Sequence, residues 1–113
     1  METRFTLFAD RDLQRAFLKA LDSRGLRPVL RNDGAVEFSP ADANQFVEAA
    51  HQVRDAQFPW YLLKPQNSQQ TSRLRQLLSE AGLRFFVELH ESGEWLLVPR
   101  ADKTEHDRII ACL

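Results

Sequence analysis

The sequence has few of the residues that mark a specialised class of protein. It has one cysteine, Cys112, in 113 residues, which excludes an internal disulfide framework and favours a reducing compartment. Its formal net charge is −1, so bulk charge does not steer a polyanion toward it. No apolar run approaches the roughly 20 residues of a membrane span. Its four glycines are too scattered for a phosphate-binding loop.

The remaining composition is that of an ordinary globular domain. Hydrophobic residues make up 43% of the chain and charged residues 27%, which predicts a folded protein with a small core rather than a disordered one. The length predicts one domain over residues 1–113. The amino terminus enters a strand pattern at once, without the apolar region of a signal peptide. Together with the single cysteine, this predicts a cytoplasmic location.

One local pattern occurs twice along the chain. A helical stripe of apolar residues runs through Gly25 into a strand, and a second stripe runs through Gly82 into another strand. Both junctions read Gly-Leu-Arg, and four of the eleven aligned positions in 17–27 and 74–84 are identical. The pattern predicts two β-α-β-β units. The predicted segments are a unit at 4–39, a joining helix at 41–56, a unit at 60–99 and a charged tail at 100–113.

The predicted fold class is α+β, with helices packed on one face of a mostly antiparallel sheet. The first six elements, in the order β-α-β-β-α-β, also have the order of a ferredoxin-like fold. A ferredoxin-like order with added elements and a true duplication both stay open, because helix-Gly-Leu is a common junction between a helix and a strand. Pro28 has no amide donor, so it predicts an edge position for the second strand.

The strand predicted at 83–90 is apolar on one face and mixed on the other, because side chains alternate along a strand. Exposing large apolar side chains forgoes roughly 1.5–3 kcal/mol each, and a contiguous exposed patch usually marks an interface. The residues expected on the open face are Phe86, Leu96, Val98 and Tyr61 as apolar contacts, with Arg84, Glu88 and His90 as polar ones.

This patch predicts a non-enzymatic, regulatory or adaptor-like protein that binds a protein partner or a second copy of itself as a homodimer. One alternative stays open at the level of the fold. The tail at 100–113, with Ile109 and Ile110, could fold back and cover the same face.

Two other functions stay open. Aromatic side chains on a sheet face bind single-stranded RNA in RRM-type domains, and Arg73, Arg75 and Arg84 could add phosphate contacts. The string 84–89 nevertheless lacks the glycines and the final aromatic residue of that pattern. The third function is a small-ligand site or enzyme site between the sheet and the loop expected at 66–72. It requires a deep pocket that holds a group with a shifted pKa.

No catalytic residue, metal or cofactor is predicted. Glu88 and His90 could supply two metal ligands, but no spacing in the chain provides a third. His106 lies between two acidic residues in a predicted tail of mixed charge. Cys112 is next to the last residue, where no rigid frame holds the base that a nucleophile needs. The sequence therefore favours binding over chemistry.

Overall fold

A computed structural model describes residues 3–113, so Met1 and Glu2, at the start of the predicted strand pattern, lie outside the described residues. Within 3–113 the chain forms four α-helices and a six-stranded antiparallel sheet, which confirms the α+β class. No helix in this range is long and apolar enough to cross a membrane. In chain order the elements are β1 (Arg4–Phe8), α1 (Arg11–Ser23), β2 (Val29–Leu30), β3 (Val36–Phe38), a 3-10 turn (Pro40–Asp42), α2 (Ala43–Asp55), β4 (Trp60–Leu63), α3 (Ser68–Glu80), β5 (Phe86–His90), β6 (Gly93–Pro99), a second 3-10 turn (Arg100–Asp102) and α4 (Lys103–Ile110).

The strands lie in the order β2-β3-β1-β5-β6-β4, and every neighbouring pair is antiparallel. β2 is an edge strand, as Pro28 predicts. A ferredoxin-like fold would place β4 beside β1. Here β5 takes that place, so the ferredoxin-like order is not confirmed.

The two β-α-β-β units have the same internal strand order, β2-β3-β1 and β5-β6-β4. Helices α1 and α3 are both 13 residues long and start 57 positions apart, at 11 and 68. Gly25 and Gly82, also 57 apart, follow them with the same φ of 72°, a left-handed conformation that glycine adopts without strain. The two 3-10 turns start 60 positions apart, at 40 and 100, and each leads into a further helix.

A position in the first unit and a position in the second are called equivalent when they lie 57 residues apart before the turns of the β2–β3 and β5–β6 hairpins, or 60 residues apart after those turns. The strand registers agree with this assignment. Arg4 pairs with Phe38 in the first unit, and their equivalents Tyr61 and Val98 pair in the second. Each unit therefore reads β-α-β-β-α, with α2 and α4 as the closing helices.

The helices lie on both faces of the sheet, and not on the single face that was expected. Leu96 and Leu97 are neighbours on β6 and both are fully buried. Since strand side chains alternate, they must be covered from opposite sides. Leu97 packs in one core with residues of α1 and α2, and Leu96 packs in a second core with residues of α3 and α4. The two sides are called the α1 face and the α3 face.

The orientation of the second unit explains this arrangement. β1 and β2 are both antiparallel to β3, so they are parallel to each other and α1 is a crossover helix between them. In the same way, β4 and β5 are both antiparallel to β6, so α3 is a crossover helix between two parallel strands. Such crossovers are right-handed in nearly all folds. Because β5 runs antiparallel to β1, the second unit keeps its strand order with reversed strand directions. A crossover of the same hand then puts α3 on the opposite face.

Two segments that were expected to be irregular are helical. Most of the loop expected at 66–72 belongs to α3, whose first turn is capped by the Asn67 side chain, which accepts a hydrogen bond from the Gln70 amide at 2.9 Å. The tail expected at 100–113 contains α4, and Ile109 packs against the core of the α3 face. This segment therefore folds back onto the sheet, as in the alternative, and helps to cover its α3 face.

Candidate functional site

The residues expected on one open face do not form a single exposed patch. Phe86 pairs with Leu97 in the sheet register, so it lies on the α1 face, where its ring stacks on Phe58 with the centroids 6.2 Å apart. Leu96 and Val98 lie on the α3 face and are fully buried. Tyr61 pairs with Val98 and lies beside it. The expected patch is thus divided between two faces, and its aliphatic half is covered by α3 and α4.

The three polar residues of that patch also separate. Glu88 and His90 lie on the α1 face but point into the interior, and the Glu88 side chain has no solvent exposure. Arg84 is exposed before β5, with its guanidinium carbon 5.2 Å from the Phe58 ring centroid. Only Glu88 and His90 belong to one site, which is built around an arginine that sequence reasoning did not select.

That arginine is Arg54, in the last turn of α2. It shares a helix face with Phe46, Ala50 and Val53, since their spacings are close to whole helical turns, and it is almost fully buried. Its Nε donates to Glu88 Oε2 at 2.9 Å, and its Nη2 donates to Oε1 at 2.5 Å. This two-bond contact ties α2 to β5 across the core.

Two histidines extend the contact, and their tautomers follow from their partners. His90 Nε2 lies 2.8 Å from Glu88 Oε1; because a carboxylate only accepts, this nitrogen carries a proton. His90 Nδ1 lies 3.3 Å from Thr6 Oγ1. Arg54 Nη1 donates to His51 Nδ1 at 2.9 Å, so the proton of neutral His51 is on Nε2.

The surroundings shift the pKa values of Glu88 and His51. Burial alone would raise the pKa of Glu88, but hydrogen bonds from His90 and Arg54, together with the positive charge of Arg54, outweigh burial and lower that pKa. Burial and the Arg54 charge lower the pKa of His51. An ionised Glu88 and a neutral His51 therefore face the arginine.

The network opens into a cavity of about 280 Å³ between α2 and the α1 face of the sheet, which is called the α2 cleft. The volume is near the lower end of ligand pockets, which span about 300–1,000 Å³. Aromatic and aliphatic walls surround a few polar groups there. The lining residues are Arg4, Thr6, Phe38, Phe46, Val47, Ala50, His51, Arg54, Leu62, Lys64, His90, Glu91 and Trp95.

Cations outnumber acids around the α2 cleft. The Lys64 ammonium lies 4.1 Å from the centroid of the Trp95 ring, and Trp95 in turn stacks on His90 at 3.8 Å. Arg4 is 3.9 Å from Glu91. The charge of Arg54 is neutralised by Glu88, which is buried behind the cleft wall. After these two pairings, Lys64 gives the lining an excess positive charge.

The contacts Thr6–His90–Glu88 have the order of a hydroxyl, imidazole and carboxylate relay. Two features oppose a catalytic role. Glu88 already accepts two hydrogen bonds from Arg54, so it has less capacity to stabilise an imidazolium. Thr6 is 95% buried, which leaves its hydroxyl little access to a substrate carbonyl. The relay therefore reads as a packed polar network that holds one cleft wall in place.

Arg73 and Arg75 are exposed on α3, where Arg75 pairs with Glu94 at 3.1 Å. A cavity of about 330 Å³ lies beside the start of α3, with Gln66 and Gln70 in its lining, close to the predicted ligand site near 66–72. None of the described groups with a shifted pKa lines this cavity: Glu88 and His51 lie at the α2 cleft, and Tyr61 and His106 lie between β4 and α4. Within residues 3–113 no three metal-binding side chains cluster.

Comparison with protein-family models, with curated proteins and with solved structures finds no match to this chain.

Sequence reasoning missed Arg54, His51, Thr6 and Trp95 as members of one site. One signal was present: Glu88 is an acidic residue on an otherwise apolar-aromatic strand, and a buried carboxylate requires a cationic partner. The position of that partner, 34 residues earlier on a helix, has no mark in the local sequence.

Proposed function

We propose that this chain is a cytoplasmic binding domain that holds a small organic anion in the α2 cleft and carries out no chemistry on it. The main support is the buried network of Arg54, Glu88, His90 and His51, which opens into a cavity. Pockets with apolar walls, a few fixed polar groups and shifted pKa values are the usual places for ligands.

The charge of the ligand follows from the groups that can reach it. Lys64 provides three donors and a positive charge at the wall formed by β4 and Trp95. Neutral His51 accepts at Nδ1, so its Nε2–H remains as a donor. Arg54 has five N–H groups, of which three are used on Glu88 and His51. These donors favour a carboxylate or another compact anion.

The apolar part of the ligand is inferred from the opposite wall of the α2 cleft. Phe38 and Phe46 stack with their ring centroids 4.8 Å apart, and Ala50 leaves space beside them along α2. An aromatic or branched apolar group removes this wall from water. The expected ligand class is therefore a small aromatic or branched aliphatic acid.

The test compares phenylacetate with benzyl alcohol, which is uncharged, and with benzylamine, which is cationic. Binding is measured by two-dimensional NMR titration of the full chain, following the Trp95 indole and the Ala50 amide. We expect phenylacetate to bind most tightly. Lys64→Met should weaken its binding about tenfold, since a hydrogen bond to a charged group contributes about 1.5–3 kcal/mol, while benzyl alcohol should be unaffected.

Two matched variants give the controls. Lys19→Met removes an exposed lysine of α1 and should leave all three affinities unchanged. Val47→Trp enlarges a half-exposed residue on the cleft rim and should block the acid and the alcohol alike. Equal binding of acid and alcohol would contradict the anion assignment, and unchanged binding in Val47→Trp would contradict the location.

A further inference from the structure

The helix α4 is attached to the sheet through a histidine. Within α4, all of which the structure describes, His106 is the one fully buried residue. The equivalent position on α2, 60 residues earlier, is Phe46, which stacks on Phe38 in the core of the first unit. A titratable ring therefore occupies a position that the other unit fills with a phenylalanine.

The His106 ring is only half satisfied by hydrogen bonds. Its Nδ1 lies 2.5 Å from the Tyr61 hydroxyl, and its Nε2 is buried with no hydrogen-bond partner among the described residues. Either neutral tautomer leaves Nε2 unpaired, which is already unfavourable. A protonated ring would add a charge at the same unpaired and buried position.

The charged groups around His106 do not remove this conflict. Asp102, in the turn before α4, and Asp107 on α4 favour the charged ring, while Lys103 on α4 opposes it, and Tyr61 of β4 is the direct partner. Burial is the largest effect, and it lowers the pKa of His106 below the ordinary 6.5. Burial, with Asp107 and Asp102, raises the pKa of Tyr61 above 10.0.

We propose that α4 is an acid-sensitive cover, which protonation of His106 releases from the α3 face. Release removes one of the two helices that cover Leu63, Leu96 and Val98, which are packed beneath α3 and α4. These residues include half of the apolar patch for which the sequence predicted a protein contact. An acidic environment would thus convert a closed domain into one whose apolar α3 face is covered by α3 alone.

The direction of the pH effect follows from proton linkage. Released α4 carries a histidine that takes up a proton below pH of about 6.5, whereas docked α4 resists that proton, so docking is fully favourable above about 6.5 and weakens as pH falls. With one proton involved, the ratio of released to docked α4 rises by up to about tenfold per pH unit.

The test is amide hydrogen exchange of the full chain at pH 7.5 and 5.5, corrected for intrinsic exchange. We expect α4 amides to lose protection severalfold at pH 5.5 and α2 amides to lose less, because His51 is only partly buried whereas His106 is fully buried. The methyl signals of Leu96 and Val98 should shift with the same pH midpoint. The variant His106→Phe has at position 106 the residue type found at the equivalent position, Phe46. In this variant α4 protection should no longer depend on pH. His106→Leu serves as a second variant if phenylalanine does not fit beneath α4.

Two further variants separate this site from the rest of the molecule. His51→Gln removes the titrating histidine of the α2 cleft and should leave the pH response of α4 intact. Tyr61→Phe keeps His106 and should keep the response too. Equal loss of protection in α2 and α4, or an unchanged pH response in both His106 variants, would overturn the proposal.

Discussion

Replacing Arg54 by methionine should destabilise the domain more than a substitution at any exposed arginine. The substitution keeps an unbranched chain but leaves the Glu88 carboxylate, with no solvent exposure, held by His90 alone. Removing one partner of a buried ion pair costs about 3–5 kcal/mol, because the remaining charge stays desolvated. Domains of this size have a total stability of about 5–15 kcal/mol, so the variant should lose a large share of it.

The measurement is urea unfolding followed by far-ultraviolet circular dichroism, which avoids the fluorescence of Trp60 and Trp95 beside the substituted site. Arg15→Met is the matched control. Arg15 and its partner Asp12 have side chains that are 81% and 89% exposed, so its loss should change the free energy of unfolding by less than about 0.5 kcal/mol. The double variant Arg54→Met/Glu88→Leu should recover much of the loss, since an apolar pair avoids the buried charge.

The pH dependence gives a second check on the same pair. In the native protein the pKa of Glu88 is lowered below 4.5. As pH falls through 4.5, the unfolded chain takes up the proton first, so the stability from the pair is present above about 4.5 and is lost below it. In Arg54→Met burial should dominate and raise this pKa. The deficit of the variant should therefore be largest at pH 7 and smaller near pH 4.5. A loss below about 1 kcal/mol at pH 7, or an equal deficit at both pH values, would refute the reasoning.

Two further predictions concern the sheet and the repeated junction. Leu96→Ala should cost about 2–5 kcal/mol in urea unfolding because it opens a cavity in a filled core, whereas Val29→Ala, at a side chain that is 63% exposed, should stay within about 0.5 kcal/mol; equal effects would mean that Leu96 is not packed. Gly25→Ala and Gly82→Ala should each cost about 1–2 kcal/mol, because both glycines have a φ of 72°. A neutral result at either glycine would contradict the left-handed junction there.

Local signals in the sequence were sufficient to find most of the elements, although not α4, which was expected to be part of a charged tail. Asp10 accepts hydrogen bonds from the Asp12 and Leu13 amides, as a cap before an apolar helical stripe should. Gly25 and Gly82 end their helices where predicted. These features depend on neighbours within a few residues, so one sequence is enough to read them. The α+β class follows from their order.

The pairing of faces between strands could not be read in the same way. Alternation places Phe86, Glu88 and His90 on one face of β5, and this part of the prediction agrees with the structure. It does not say whether Leu96 or Leu97 lies opposite Phe86. A shift of one residue in register exchanges the two faces of a strand, and that choice moved Leu96 and Val98 to the α3 face. The register depends on the 91–94 turn and on packing against helices far away in sequence.

The buried polar residues were hidden for a related reason. Arg54 is a cation near the end of a helix, where a solvated position is usual, and Glu88 becomes its partner only after β5 joins the sheet. His106 lies in a segment whose mixed charges resemble those of a loose tail. Its burial depends on the second unit repeating the closing helix of the first. Neither feature has a local pattern.

The pairing of β1 with β5 also affects the order in which the sheet can form. Thr6 and His90 face each other across it although they are 84 residues apart, whereas Arg4 and Phe38 pair within the first unit. Contacts between distant residues form late, because closing a longer loop costs more entropy. During synthesis the first unit therefore emerges with one edge of β1 unpaired, and this edge stays unpaired until β5 has been made. A bare strand edge is prone to pair with other chains, so the centre of the finished sheet is the most vulnerable part of the nascent one.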